Sequence, residues 1–294
     1  MSYKSGFVSI IGSPNVGKST LLNTLIGQKI SIVSDRAQTT RNRVMGVLTH
    51  DGWQMVFLDT PGITTPKNRL GEYMLRVAYD SINEVEAILL VIDARAGIRE
   101  KDEALLIKLR EAKAPIVAAV NKTDIATIED VSSVCDRLEQ EEGIESIIKI
   151  SALNGDGLDK LKETLQTYLI EGPQYFPDDM ITDQPERVIC TEMVREKALS
   201  LLREEVPHGL GVGIDKMALR EDGMYDIWAT IYCERESHKG IVIGKQGAML
   251  KRIGTDARHD IEWLLGARVN LQLWVKVKED WRNSLATMRE LGYE

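Results

Sequence analysis

Over the first 170 residues, short apolar runs alternate with stretches whose apolar positions recur at helical spacing. Phe7–Ile11 is an apolar run that enters a glycine-bearing loop, and from Lys18 onward Leu21, Leu22, Leu25 and Ile26 share one helical face. Val44–Thr49 and Trp53–Leu58 read as strands joined at Asp51-Gly52, a dipeptide suited to a tight hairpin turn. Further strands are expected at Ala87–Ile92, Ile116–Val120 and Ile147–Ile150, with helices around Ala104–Arg110, Val131–Gln140 and Leu158–Leu169. Such alternation predicts an α/β domain, a mostly parallel sheet with helices on both faces and ligands at the carboxyl ends of the strands. The early hairpin supplies its one antiparallel strand. Gly172, Pro173, Pro177 and Pro185 then break up an acidic stretch without periodicity. This sets a first domain over 1–172, a linker over 173–184 and a second domain over 185–294. The second domain reads as a helix (Glu186–Glu205), two strands (Gly211–Leu219 and Met224–Cys233) about a turn at Asp222-Gly223, two helices, and a last strand at Leu271–Val277.

A length of 294 residues suits two domains, and 43% apolar residues give each enough to bury a core. The formal net charge of -8 excludes a protein that coats nucleic acid indiscriminately, though not one with a local basic patch. Cys135, Cys190 and Cys233 match neither a metal-ligand spacing nor a disulfide framework and point to a reducing cytosol. The longest apolar run, Ala87–Ile92, is too short to cross a bilayer, and no leader sequence opens the chain, so a soluble protein is expected.

The loop after the first strand, Gly12-Ser13-Pro14-Asn15-Val16-Gly17-Lys18-Ser19, fits the phosphate-loop pattern and sits between a strand and a helix, as that pattern requires. Its glycines let successive N–H groups and the helix N-terminus face negative charge. Lys18 is placed to reach the β- and γ-phosphates, Ser19 to ligate Mg²⁺, and Thr20 to continue the loop into the helix. Asp59-Thr60-Pro61-Gly62, followed by Ile63, leaves the Trp53–Leu58 strand with Asp59 facing the metal and the Gly62 amide facing a γ-phosphate. Asn121-Lys122-Thr123-Asp124 ends a later strand, and Ser151-Ala152-Leu153 the one after. A carboxylate at Asp124 can accept hydrogen bonds from guanine N1 and N2; adenine would leave it unpaired. Between the loop and the hairpin, Ser34–Arg43 includes Gln38-Thr39-Thr40-Arg41, where a threonine can close over the γ-phosphate and the metal in the GTP state alone.

These boxes, in this order, resemble the translation-factor-like GTPases. The resemblance gives the metal to Thr40 rather than Thr39 and makes Lys18, Thr40, Asp59 and Gly62 the catalytic set. It also implies that Asn15 helps hold a K⁺ ion beside the phosphates; the plainer reading of Asn15 is a turn-stabilising side chain. Where Ras-type enzymes carry a water-orienting glutamine, this chain has Ile63, which has no side-chain hydrogen-bonding group, so intrinsic hydrolysis is expected to be slow.

In the second domain Gly240-Ile241-Val242-Ile243-Gly244-Lys245-Gln246-Gly247 joins two helical stretches. Its inner Gly-Lys-Gln-Gly is a G-x-x-G loop of the kind with which K-homology (KH) domains clamp about four nucleotides by their backbones. Lys239, Lys245, Lys251, Arg252 and Arg258 make this window basic within an acidic protein. Ile241, Val242 and Leu250 are candidates to line a groove for bases, with plain core as the alternative for each. Lys276, Lys278 and Trp281 read as an ordinary solvated strand face and its end.

A phosphate-loop GTPase domain joined to a KH domain of the bacterial type (type II) is similar to the bacterial Era family, whose GTPase domain is TrmE-Era-EngA-like, over nearly the whole chain. The resemblance implies hydrolysis of GTP with Mg²⁺ and binding of the 3′ end of 16S ribosomal RNA. It also implies a part in 30S subunit assembly and rRNA processing, and a cytoplasmic location with some peripheral association with the inner membrane. A monomer is expected. Two other readings are an RNA-binding assembly factor with a structural nucleotide, and a tRNA-modifying GTPase; the second half shows no cofactor site of the sort the latter needs.

Overall fold

The computed structural model describes residues 2–34, 36 and 39–293. Asp35, Ala37 and Gln38, within the loop read as a switch, lie outside the described residues. The chain forms two compact units, one of Met1–Ser31, Thr40–Pro66 and Gly71–Asp183, the other of Ile32–Thr39, Lys67–Leu70 and Gln184–Glu294.

The first unit runs β1 (Lys4–Ile11), α1 (Lys18–Ile26), β2 (Val44–His50), β3 (Trp53–Asp59), α2 (Arg69–Asp80), β4 (Ala87–Asp93), α3 (Glu100–Leu109), β5 (Ile116–Asn121), α4 (Ile128–Glu139), β6 (Ile144–Lys149), α5 (Leu158–Gln166) and β7 (Ile170–Glu171). Its sheet has the order β2-β3-β1-β4-β5-β6. β1, β3, β4, β5 and β6 are parallel, and β2 is antiparallel to β3. Buried strands alternate their side chains between two cores. Ile10, Leu89 and Val91 meet Leu21, Leu22, Leu161 and Leu165 of α1 and α5. Ile11, Ile88, Leu90 and Ile92 meet Ala78, Leu105, Leu106, Val134 and Leu138 of α2, α3 and α4. The expected α/β architecture is therefore what forms, with two additions. Helix α2 went unread although Leu70, Met74 and Ala78 recur every four residues and are buried. Strand β7 is a second antiparallel strand: it pairs with Lys4 and Ser5, below the point where β4 joins β1 at Val8.

Residues 173–183 are tied to this unit. Ser5 donates to the Pro173 carbonyl (2.8 Å), and the Gln54 amide is bonded to Tyr175 N (2.9 Å), Phe176 N (3.0 Å) and Phe176 O (2.9 Å). Val47 N–H donates to the Ile181 carbonyl (2.8 Å), and the Thr182 hydroxyl donates to the Met45 carbonyl (2.6 Å).

The second unit runs α6 (Glu186–Leu201), β8 (Gly211–Leu219), β9 (Tyr225–Cys233), α7 (Glu236–Ile243), α8 (Ala248–Leu265), β10 (Val269–Val277) and α9 (Leu285–Glu290). Its sheet order is β10-β9-β8, with β9 parallel to β10 and antiparallel to β8. This is the helix-strand-strand-helix-helix-strand order expected, followed by one helix, α9, that the sequence reading did not include. α6 ends at Leu201, short of the expected Glu205. One face of the sheet packs on α6 and α8 through Ile214, Ile227, Ile231, Val194, Ala198, Ile253 and Ile261. Trp281, read as surface, is fully buried and donates its indole N–H to the Gly209 carbonyl (2.8 Å). All three cysteines are free and buried.

Candidate functional site

The loop between β1 and α1 is shaped by residues that other side chains exclude. Gly17 has φ +101°, and a Cβ there would collide with the Asn121 amide nitrogen. The Lys18 ammonium turns back over the loop and donates to the carbonyls of Gly12 (3.1 Å) and Ser13 (3.0 Å). Burial pulls its pKa down to about 8, against the opposing pull of the Asp59 charge. Val16 is buried, while Asn15 is exposed with φ 67° and Thr20 lies half-buried in the first turn of α1. The hydroxyl of Ser13 donates to Asp102 at the start of α3, and Asp102 also accepts from Arg99 N (3.0 Å). Across the loop, Gly62 lies so close to Pro14 that a Cβ would fall 2.8 Å from the Pro14 Cα. The Ile63 N–H donates to the Gly12 carbonyl (3.3 Å), and its side chain is buried in the apolar cluster with Ile11 and Ile92. Thr60 donates to the Ile10 carbonyl (2.9 Å), and Pro61 follows it.

Three predicted ligands converge beside Lys18. The Ser19 hydroxyl donates to Asp59 Oδ2 (2.8 Å) and lies 2.9 Å from the Thr40 hydroxyl. Ser31 donates to the same Asp59 oxygen (3.1 Å). Asp59 is fully buried, and its Oδ1 has no hydrogen-bond partner among the described residues. Burial pushes its carboxyl up, with the Lys18 charge the largest opposing influence. A carboxylate oxygen left unengaged next to two hydroxyls suits a divalent cation such as Mg²⁺, which takes few protein ligands and keeps its waters. Thr39 is not part of this cluster: its hydroxyl donates to the Arg36 carbonyl (2.7 Å).

At the other end, Asp124 is exposed and accepts from the Ser151 hydroxyl (2.7 Å). Lys122, with φ 66°, reaches Asp93 (2.7 Å) and the Asn15 carbonyl (2.7 Å). Thr123 is bonded to the Ile150 carbonyl (2.9 Å), and Leu153 is 75% exposed. Asn121 is buried and occupied with the protein itself. It donates to the Val16 carbonyl (2.8 Å) and accepts from Ala152 N–H (2.9 Å), so one amide braces the phosphate loop against the Ser151-Ala152 loop. Sequence reasoning missed Asp102, Ser31 and Asp93. Asp93 was visible as a carboxylate at the end of an apolar strand; the other two carry no local signal.

In the second unit the loop between α7 and α8 has three left-handed residues: Gly244 (φ 71°), Gln246 (φ 52°) and Gly247 (φ 79°). A Cβ at Gly244 would lie 2.7 Å from Met249 Cβ. Gly240 and Ile243 belong to α7, and Ile241 is half-exposed. Val242 takes the alternative of the two readings: it is fully buried in the core and does not line a groove. Leu250 is partly buried against that same core. Lys245, Lys251, Arg252 and Arg258 are exposed, and Lys239 sits 3.8 Å from Glu236. Among the described residues no group of three or more His, Cys, Asp and Glu side chains could hold a metal, and no helix is long and apolar enough to cross a membrane.

Residues 7–122 match the family model described as a 50S ribosome-binding GTPase, and residues 205–282 match the KH domain. A GTPase Era from Ruminiclostridium cellulolyticum is 51% identical over 294 residues, 100% of this chain and 99% of its own length. One from Clostridioides difficile is 52% identical, covering 99% of both chains. Among solved structures, Era in complex with MgGDPNP and nucleotides 1506-1542 of 16S ribosomal RNA is 44% identical with a TM-score of 0.95, covering 99% of both chains. A variant of Aquifex aeolicus Era bound to GDP and AlF4⁻ is likewise 44% identical, with a TM-score of 0.93 and 99% coverage of both chains.

Proposed function

The chain belongs to the Era family of GTPases, and from that premise we propose that it is a nucleotide-controlled RNA-binding switch acting in assembly of the small ribosomal subunit. It is a GTPase with a KH domain. The partner that fits is the 3′ end of 16S rRNA, held at the Gly244–Gly247 loop. There the left-handed backbone brings phosphate and ribose close, with Lys245, Lys251, Arg252 and Arg258 supplying charge.

In this reading the amides of Gly12–Thr20 and the Lys18 ammonium hold the β- and γ-phosphates, and Gly62 N–H meets the γ-phosphate. Ser19, Thr40 and Asp59 hold Mg²⁺, and Asp124 selects guanine, with Ser151 fixing its carboxylate. When bound, Mg²⁺ neutralises charge spread over the bridging and terminal phosphate oxygens. Thr40 makes the arrangement sensitive to the γ-phosphate, because a loop residue is recruited to a site that the other two ligands already occupy. With Ile63 buried, no side chain at that position orients water; a K⁺ ion held near Asn15 is the proposed substitute for the missing charge. Work on the 30S subunit and weak peripheral attachment to the inner membrane of a cytoplasmic monomer complete the proposal.

The observation that carries the nucleotide reading is the unengaged Asp59 Oδ1 beside the Ser19 and Thr40 hydroxyls. The test measures affinity for a 16S 3′-end RNA with GDP and with a non-hydrolysable GTP analogue. Different affinities are expected, since a ligand shifts a two-state equilibrium only by its differential affinity; equal affinities would sink the switch. Turnover in K⁺ and in Na⁺ tests the monovalent ion separately.

A further inference from the structure

The three-stranded sheet of the second unit has a core face and an outer face. Side chains on the outer face include Asp226, Trp228, Thr230 and Tyr232 of β9, and Gln272, Trp274 and Lys276 of β10, alternating with the core residues. The C-terminal segment covers one end of this face, where a Cβ on Gly211 would meet Leu291 and Trp281. The other end is open. Trp228 is 38% exposed and Trp274 42%, with ring centroids 6.0 Å apart at 68°. The Lys216 ammonium stands 4.7 Å from the centre of the Trp228 ring, and Lys276 is exposed two residues beyond Trp274. Two carboxylates lie nearby: Asp226 is occupied by Arg220 Nε (2.6 Å) and the Asn270 amide (2.7 Å), and Asp215 accepts from the Thr230 hydroxyl (2.7 Å). Two large aromatics part-exposed at mid-strand, with lysines beside them, make a patch of the kind that marks an interaction site.

We propose that this outer face is a second RNA surface, on which unpaired bases stack against Trp228 and Trp274 while their phosphates meet Lys216 and Lys276. The proposal rests on the reading of the Gly244–Gly247 loop as an RNA clamp. Aromatic side chains exposed on a sheet offer a platform for bases, since every base has a flat π-face and stacking tolerates any sequence. The lysines complement phosphate and would repel each other if two copies of this chain met face to face. Continuity also favours RNA. β10 is both the open edge of the sheet and the strand on which α7 and α8 pack, so a strand leaving the clamp over that edge meets Trp274 first.

The test uses the full-length chain and two mixed-sequence single-stranded RNAs. One of about five nucleotides fills the clamp alone, and one of about 20 spans clamp and sheet. The double variant Trp228→Ala, Trp274→Ala is expected to bind the longer RNA roughly tenfold more weakly for each base lost from the stack. It is expected to bind the short one as before and to lose part of the tryptophan quenching that RNA causes. Trp→Phe at both sites keeps most of the affinity, and Lys216→Gln with Lys276→Gln flattens its salt dependence. Unchanged binding of the long RNA by the double alanine variant overturns the proposal, as does equal weakening of both RNAs. So does a variant that retains RNA but loses phosphatidylglycerol vesicles, which would make the face a lipid surface. If instead Gly244→Asp leaves both RNAs bound while the tryptophan variant releases the long one, the clamp reading fails and the sheet surface stands.

Discussion

Replacing Asn121 by alanine tests whether the nucleotide site is held together as the geometry indicates. The side chain is 2% exposed and makes two hydrogen bonds, to the Val16 carbonyl (2.8 Å) and from Ala152 N–H (2.9 Å). Each bond contributes about 1 kcal/mol net, and a buried group stripped of its partner costs about 1–3 kcal/mol. Water entering the small gap relieves part of this, so a loss of about 2–4 kcal/mol is expected, roughly 30- to 1,000-fold in nucleotide affinity. Because the amide touches protein and its two partners belong to opposite ends of the site, the loss falls on phosphate and base binding together. Competition of GDP and of inosine diphosphate against a ribose-labelled fluorescent GDP, with Mg²⁺ present, separates the cases. Both ligands weaken by a similar factor if Asn121 is a brace. An alanine variant within threefold of the parent would refute the reasoning, and so would a collapse of the preference for GDP over inosine diphosphate, which would make Asn121 a contact of the guanine 2-amino group.

Four further outcomes follow from other contacts. Asp102→Ala strips the buried Ser13 hydroxyl of its acceptor and removes the bond to Arg99 N–H, and should cost about 1–3 kcal/mol in urea unfolding, with a higher KM for GTP. Gly244→Ala combines a left-handed φ with a clash against Met249, a strain of about 1–3 kcal/mol, and should weaken RNA binding roughly 5- to 100-fold in a filter or anisotropy assay. Trp281→Ala removes a fully buried ring and its bond to Gly209, and should lower stability by about 3–5 kcal/mol, seen as a fall in Tm. Hydrogen bonds from Arg220 and then Asn270 hold the Asp226 carboxyl down at about 2. The stabilisation that pairing gives is complete above the ordinary value of 3.8 and is lost as pH falls towards 2, so the carboxyl carbon resonance should titrate near 2 and move up in Arg220→Ala; an unmoved midpoint would contradict the pairing.

Much of the first unit was legible because its chemistry is local. The glycine-bearing loop between an apolar strand and a helix, and the boxes that hold Asp59 and Asp124 after apolar strands, are each read within a short window. What stayed hidden depends on distance along the chain. Ser13 meets Asp102 across 89 residues, and Ser31 joins Asp59 across 28, pairings that no window reveals. Asn121 was read only as part of the Asn121–Asp124 box; that its amide bonds two backbone groups from distant loops has no signal in that window. Val242 lay within the motif window, yet its place on α7 turned it to the core while Ile241 beside it stayed in solvent. Helix α2 had a readable four-residue period, whereas β7, two residues long, had too little pattern to be seen. Trp281 looked like a surface aromatic after an alternating strand; its bond to the distant Gly209 carbonyl and its stacking on Tyr293 lie outside that window.

The fastening of residues 173–183 has a practical consequence for dissecting the chain. Val47 N–H and the Met45 carbonyl lie on the free side of β2, and Ile181 and Thr182 are what satisfy them. Excision of the GTPase half at Gly172, where sequence composition invites the cut, would strip those partners and bare a strand rim open to pairing with other chains. A fragment carried through to Asp183 keeps its rim closed and should stay monodisperse at concentrations where the shorter one precipitates.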